Sequence, residues 1–576
     1  MNAIDLEVIY QSTLQIAREL TLNMLRTGYS TIIKESQDFT FAIFDGAGRM
    51  VAQGIPQPLH IGPLAAQVNE IRRRFHDQIE PGDAFIVNHP YQACQNHATD
   101  VTVISPMFVS GRLVGFIGNI AHKPDLGGKV AGTNSGDATD LFQEGLLIPP
   151  LKILRRGELN GDVEALICAN TRTPEVTWGD INAQVNTNSY GLGKFTELFD
   201  KHGTDNVLAC WRRWMDLCEA ELRKQIAELP DGRYGPETDY LDDDGVDLAK
   251  PHRISASLQV EGDTLHFILD SDAQARGPVN LRPCVSRNFI ECLVKMVFIP
   301  DLPVNDGLSR PVRVSYPPEG SLLNPRFPAP VNMYVRPSQV TTAVIMRVLA
   351  QALPGRVPAP GSAAGGSLSS AGRDPRSGRW YSQYEILNGG TGARPDGDGV
   401  SAMDELVVNV MNTPVEAIES EFPVRVERYE LATDSGGPGT FRGGLGVRRQ
   451  WRILADETSV NLRMDRFKFS SGGVFGAKPA RPSKAVLNPG GATERALTSK
   501  VAGLRLKRGD LLSVEFAGGG GWGDPCTRDV ARVRDDVVRG YVSAASARDD
   551  YGVALDRDLE IDAEATARLR RDKTGR

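Results

Sequence analysis

HATDVTVISPMFVSGRLVGFIGNIAH, residues 97–122, is the stretch on which the reading of this chain turns. Val101 to Val109 is apolar and β-branched, Ser110-Gly111-Arg112 is a turn, and Leu113 to Ala121 is a return strand, which together spell an antiparallel hairpin. Around Gly111, facing positions sum to 222, so Asp100 stands opposite His122; a two-residue loop moves this by one residue. His97 lies about one turn of chain before the first strand. His97, Asp100 and His122 therefore converge at one end of the hairpin although 25 residues separate the two histidines. H-x-x-D alone is a weak motif; the register makes it a candidate site. Two imidazoles and a carboxylate form a common ligand set for a catalytic divalent metal that keeps positions open for water. Five of the eight histidines fall between residues 60 and 122, which marks the same region. Asp38, at the start of the preceding strand-like run, is a candidate fourth ligand. Asp125, in Ala121-His122-Lys123-Pro124-Asp125, is a candidate to orient a ligand or to act as a base.

Working outward, Ile4, Val8, Leu14, Ala17, Leu20 and Met24 fall at helical spacing and predict an amphipathic helix over 5–26. Asp45-Gly46-Ala47-Gly48 joins strands at 40–44 and 49–53. Val207, Leu208, Trp211, Trp214, Met215, Leu222 and Ile226 predict a second helix over 204–228. Pro, Gly and acidic residues then replace the apolar pattern at 229–250, which reads as a linker. Strands follow at 254–260 and 264–269, and an apolar helix at 287–299. Residues 354–379 are Pro/Gly/Ser-rich and read as a long mobile loop; the charged tail after Asp562 is expected to fray. The fold class is α+β, with several mixed sheets and helices. The expected division is a metal-site domain at 1–228, a middle domain at 251–353, and a mainly β domain at 380–560.

With 576 residues the chain is long for a single core, and 41% hydrophobic with 24% charged residues is ordinary for a globular protein. A net charge of −7 argues against nucleic acid as partner. No apolar run approaches membrane-spanning length, and the N-terminus lacks the pattern of a secretory leader, so a cytoplasmic location is expected. Seven scattered cysteines without a CxxC pair predict neither disulfides nor a cysteine zinc site. Nucleotide motifs fail. Gly191-Leu192-Gly193-Lys194 lacks the following Ser/Thr, and the Gly518–Gly521 run before Trp522 has no helix start behind it, so it reads as turns needing positive φ around a packed tryptophan. If ATP is used, another chain holds it.

The order of motifs resembles the hydantoinase B/oxoprolinase family over nearly the whole chain. Its markers here are Arg26-Thr27-Gly28-Tyr29-Ser30, Asp38-Phe39, His60-Ile61-Gly62, His97-x-x-Asp100, Ala121-His122 and Asp125-x-Gly127-Gly128, and later Arg276-Gly277-Pro278-Val279-Asn280, Asn412-Thr413-Pro414-Val415-Glu416 and the Gly518–Pro525 run. The resemblance implies a partner subunit with an actin-like ATPase fold, carrying ATP and Mg, that phosphorylates the carbonyl oxygen of a small cyclic amide. It implies that this chain holds a divalent metal, zinc or manganese, at His97, Asp100, His122 and Asp38, and attacks the activated substrate with metal-activated water in a heterotetramer. Related subunits of acetone and acetophenone carboxylases make an ATP-dependent ketone carboxylase the alternative. Departures from the family pattern occur at His89, at Ala93-Cys94-Gln95-Asn96, at Lys123 and at Asn332–Arg336. They surround the ligand triad without breaking it. Lys123 is thereby a candidate to hold a phosphate, beside Asp125 as candidate base.

Overall fold

A computed structural model describes residues 2–54, 58–403 and 408–574. The quoted stretch lies at the centre of a seven-stranded antiparallel sheet built from β1 (Phe39–Asp45), β2 (Met50–Gln53), β3 (Ala84–Val87), β4 (Asp100–Val109), β5 (Arg112–His122), β6 (Leu151–Arg155) and β7 (Glu158–Leu159), in the order β2-β1-β5-β4-β3-β6-β7. Side chains alternate across a strand with period two, and the sequence uses both faces. Phe39, Phe41, Ile43, Ile117 and Ala121 enter one core with residues of helices Ala3–Thr27, Pro174–His202 and Thr204–Ile226. Ala42, Phe44, Phe116 and Ile120 enter another, against Leu64 and Val68 of helix Ile61–Phe75. The sheet is a helix-covered middle layer.

The β4–β5 register pairs Asp100 with His122. The turn is the tighter, two-residue one, with Ser110 at φ 49° and Gly111 at φ 77°, but a register slip between Met107 and Phe108 absorbs the difference. On the other side β1 pairs Phe39 with Ala121, and the His122 N–H donates to the Asp38 carbonyl at 3.1 Å. Asp38, His122 and Asp100 are thus neighbours at the ends of three adjacent strands. Their parity matches that of Ala42, Phe44, Phe116 and Ile120, so all three point to the face covered by helix Ile61–Phe75. Lys123 has the opposite parity.

A second sheet, β8 (Gly232–Leu241), β9 (His252–Glu261), β10 (Thr264–Ser271) and β11 (Val312–Ser315), carries helices Pro283–Phe298 and Val335–Ala352 in the largest core. Two more sheets build the C-terminal part: β13 (Trp380–Leu387), β12 (Gly366–Arg373), β16 (Glu457–Arg463) and β19 (Lys500–Lys507), and β14 (Val424–Leu431), β15 (Val447–Ile453), β20 (Leu511–Glu515), β17 (Lys484–Leu487) and β18 (Arg495–Leu497).

Four expectations are corrected. The presumed linker at 229–250 contains β8, an edge strand whose exposed Arg233, Pro236, Thr238 and Tyr240 give it linker-like composition. The presumed mobile loop at 354–379 contains β12, a buried inner strand. Its residues are small because neighbours crowd it: a Cβ on Gly132 would come 2.9 Å from Ser369 Cβ, and one on Gly366 2.8 Å from Met464 and Phe516. The tail forms helix Ala563–Thr574. Cys94 and Cys284 form a disulfide across 190 residues, a separation at which sequence spacing carries no signal. The Gly518–Gly521 run also differs in kind. Among residues 518–523 only Gly523 has positive φ, at 72°; the others are glycine because backbone lies against them, as a carbonyl 2.0 Å from any Cβ on Gly519 shows. Among the described residues no helix is long and apolar enough to cross a membrane.

Candidate metal centre

Strand ends, one loop and one helix start converge on a single buried point. His122 Nδ1 lies 2.9 Å and His97 Nε2 3.0 Å from the same oxygen, Asp100 Oδ1. Asp38 Oδ2 is 4.0 Å from His122 Nδ1. His60, immediately before helix Ile61–Phe75, places Nε2 3.5 Å from Asp100 Oδ2 and 3.8 Å from Asp38 Oδ1. All five side chains are buried, the most exposed being Asp38 at 6%. His97, Asp100 and His122 each offer a ligand atom within 4.8 Å of the others.

Electrostatics follow from packing two carboxylates and three imidazoles together out of water. Burial works against the Asp100 charge, but the pull of His97 and His60 and the hydrogen bond from His122 hold its carboxyl well below the usual range. Asp38, with weaker contacts, is pushed up by burial. His122 is pushed down by burial, whereas at His60 contact with Asp100 overrides burial and raises the imidazole.

The surroundings fix the imidazoles. His97 Nδ1 faces two acceptors, Asn332 Oδ1 at 2.9 Å and Asn332 O at 3.2 Å. The same Oδ1 accepts from Arg463 Nη1 at 2.7 Å, so it has no donor to offer, and the neutral His97 ring carries its proton on Nδ1. Nε2 then accepts from the Thr99 hydroxyl at 2.9 Å and faces Asp100 Oδ1 at 3.0 Å, two acceptors side by side, an arrangement that a shared cation relieves. Asn332 is itself held: its backbone N–H donates to Glu144 Oε1 at 2.7 Å and Nδ2 to Thr133 O at 2.5 Å. Tyr384 stacks on His122 with ring centroids 4.5 Å apart and accepts at its hydroxyl from Arg463 Nη2. His122 Nε2 and His60 Nδ1 are buried without a hydrogen-bond partner among the described residues. These are the far nitrogens of rings whose other nitrogens, His122 Nδ1 and His60 Nε2, face the carboxylates, and a set of imidazoles and carboxylates packed this way suits a divalent metal.

The cluster forms one wall of a cavity of about 50 Å³. Its opposite wall comes from the start of helix Val335–Ala352, from β12, β13 and β16, and from Val408 and Val410. Of the sequence-derived candidates, His97, Asp100, His122 and Asp38 come together here. Asp125 and Lys123 do not line the cavity. Asp125 is a structural anchor: its Oδ1 accepts from the N–H groups of Gly127 and Arg172, and its Oδ2 from Gly132 N–H and Arg172 Nη1. Four donors hold it within this loop, away from the cavity lining. Lys123 lies on the opposite sheet face, fully buried, with Nζ donating to Ala121 O at 3.2 Å and its pKa pushed down to about 8 by burial. His60, Asn332, Arg463 and Gln339 were missed as site residues. His60 ends the 3₁₀ turn Pro58–His60, 37 residues before His97, and the others enter from beyond residue 330, where no spacing ties them to it.

Comparison with known proteins gives the family. A model of the hydantoinase B/oxoprolinase family matches residues 2–525. The chain is 31% identical over 590 residues to the B-type subunit of a putative D-/L-hydantoinase from Pseudomonas sp. (strain NS671), covering 99% of this chain and 98% of that one. It is 32% identical over 586 residues to the beta chain of the caprolactamase of Pseudomonas jessenii, covering 98% and 99%. The crystal structure of the ATP-dependent caprolactamase from Pseudomonas jessenii matches with a TM-score of 0.93 over 99% of both chains, at 31% identity. A nucleotide-free acetone carboxylase shares the fold, with a TM-score of 0.91 at 18% identity over 99% of this chain and 83% of that one. A family model spanning nine-tenths of the sequence, and relatives above 30% identity from end to end, leave one conclusion: the chain belongs to the hydantoinase B/oxoprolinase family.

Proposed function

We propose that this chain is the metal-holding subunit of an ATP-dependent cyclic amide hydrolase, acting on a lactam, hydantoin or oxoproline-type ring. The observation that carries the reading is the buried His97/Asp100/His122 cluster, with Asp38 and His60 against it, forming the wall of a small cavity. An unstrained amide resists water because resonance stabilises it, and phosphorylation of its oxygen removes that resonance. A partner subunit with an actin-like ATPase fold, holding ATP and Mg, would carry out that phosphorylation in the cytoplasm. Relatives named as subunits of a hydantoinase and a caprolactamase support a partner and this substrate class. Two chains of each kind would make a heterotetramer.

Asp38, His97, Asp100 and His122 would hold the metal, zinc or manganese. When bound, a divalent ion supplies Lewis acidity and lowers the pKa of water towards neutrality. The chain's own residues do the rest. Asn332 keeps the His97 proton on Nδ1, Tyr384 fixes the plane of the His122 ring, and Leu59, Met333, Val408 and Val410 make the cavity wall partly apolar, limiting stray water.

The test is metal analysis of the complex co-purified with its ATPase partner, paired with ATP-dependent opening of a panel of lactams and hydantoins. Stoichiometric metal and ring opening without bicarbonate are expected. His97→Ala and His122→Ala should keep the fold and lose both metal and turnover. Metal and turnover retained in both variants would sink the site; turnover only with a ketone and bicarbonate would replace the hydrolase by a carboxylase.

A further inference from the structure

The first turns of helix Val335–Ala352 contribute Gln339 to the lining of the cavity that the ligand cluster also lines. Its side chain is 1% exposed, it lines the cavity, and its Oε1 has no hydrogen-bond partner among the described residues. Two other polar residues of the wall, Arg463 and Asn332, are engaged with their neighbours. Arg463 donates to Asn332, to Ser367 Oγ and to the Tyr384 hydroxyl, and Asn332 is further bound to His97, Glu144 and Thr133. The far end of the Gln339 amide is also placed. A Cβ built on Gly365 would lie 3.0 Å from Gln339 Nε2 and 3.2 Å from Asn388 Oδ1. The amide nitrogen and the Asn388 carbonyl oxygen thus both border Gly365, and Oε1 is the corner still to be met.

A buried carbonyl oxygen without a donor is rare and costly, and here it shares a cavity with a cluster suited to a cation. A secondary ring amide offers the missing donor, its N–H. After phosphorylation on oxygen, the ring nitrogen keeps a hydrogen only in the protonated, imidate-cation form, the more electrophilic one. A neutral carboxamide oxygen favours that form without the charge of a carboxylate. Resting on the cyclic amide reading above, we propose that Gln339 is a specificity-determining residue whose Oε1 accepts a hydrogen bond from the ring N–H of the substrate. The substrate class narrows accordingly to ring amides that carry hydrogen on nitrogen.

The test uses the complex co-purified with its ATPase partner, a simple secondary lactam and the same lactam methylated on nitrogen. Gln339→Leu removes the acceptor at similar volume, and Gln339→Glu keeps one. For the secondary lactam, Gln339→Leu should lower kcat/KM about 10-fold, while Gln339→Glu retains most of it. For the N-methyl lactam, Gln339→Leu should change little. Equal losses for both lactams, or none for either, overturn the assignment and reduce Gln339 to a packing residue or a water ligand. Wild-type ring opening of either lactam separates the two readings, since its absence counts against the hydrolase itself. In that event calorimetric binding of the two lactams still decides: a preference for the secondary lactam that Gln339→Leu abolishes supports the role, and no preference overturns it.

Discussion

Replacing Asn332 by leucine isolates the contact that orients a metal ligand from the ligand itself. The substitution keeps the volume and removes Oδ1, which accepts from His97 Nδ1 at 2.9 Å and Arg463 Nη1 at 2.7 Å. Arg463 keeps the Asn332 carbonyl at 2.9 Å, Ser367 and Tyr384. It therefore loses one charge-assisted bond of four contacts, about 1.5–3 kcal/mol, and the loss of Nδ2, which donates to Thr133 O at 2.5 Å, adds about 0.5–1.5 kcal/mol. The effect on the site is different in kind. His97 Nδ1 retains only the longer 3.2 Å contact to the Asn332 carbonyl, so the ring is held less firmly in its tautomer and plane. Loss of such an outer partner weakens metal binding about 10- to 100-fold, or about 1.4–2.7 kcal/mol. Calorimetric titration of zinc into the metal-free chain measures this, with thermal unfolding of the same samples as the stability control. A variant that melts lower yet binds zinc as tightly as the parent would refute the reasoning, leaving Asn332 as packing.

Three further outcomes are expected. Glu144, 1% exposed, is pushed up to about 8 by burial, against the N–H bonds from Val331 and Asn332; between pH 4.5 and 8 the folded state then holds a proton that the unfolded chain has released, so stability falls as pH rises. Glu144→Gln should remove up to about 1.4 kcal/mol per pH unit of that slope in denaturant unfolding, and a pH-independent difference between the two proteins contradicts the assignment. The Cys94–Cys284 bridge closes a loop of 190 residues, so Cys94→Ser should cost about 2–5 kcal/mol; the unreduced protein should weigh two hydrogens less than the reduced one, and seven free thiols would exclude the pairing. Lys123→Met, on the sheet face away from the cluster, should leave metal content and turnover unchanged, and a large loss of either would return Lys123 to the candidate catalytic groups.

What could be read from the sequence was what local patterns encode. The hairpin at 97–122 was legible from its alternation and turn, and the expected pairing of Asp100 with His122 is observed. The two-residue turn alone would have shifted that pairing by one, and the slip between Met107 and Phe108, which no pattern announced, restores it. Helices Ala3–Thr27, Thr204–Ile226 and Pro283–Phe298 showed an apolar stripe and were found near their ends. Helix Val335–Ala352 was not, because it is buried almost all round and its β-branched run Val340-Thr341-Thr342 resembles a strand. Helix Pro174–His202 hid behind glycines such as Gly191, against which Leu20 and Ile117 pack. Composition misled at β8 and β12, where an edge position and close neighbours select linker-like residues. His60, Asn332 and Gln339 reach the site only through tertiary folding, and no spacing rule connects them to His97.

The glycines at 518–521 have a consequence for any survey of tolerance to substitution. Each faces a backbone carbonyl that a Cβ would meet at 2.0–2.5 Å, from Gly444, Thr391, Gly472 and Pro438 in turn. Every side chain is refused there, as firmly as alanine would be at a ligand histidine, and a saturation scan scored by growth or activity would light up two regions of equal intensity. Only abundance tells them apart. Variants of the glycine run should vanish as protein, whereas ligand variants should accumulate as folded, inactive chains.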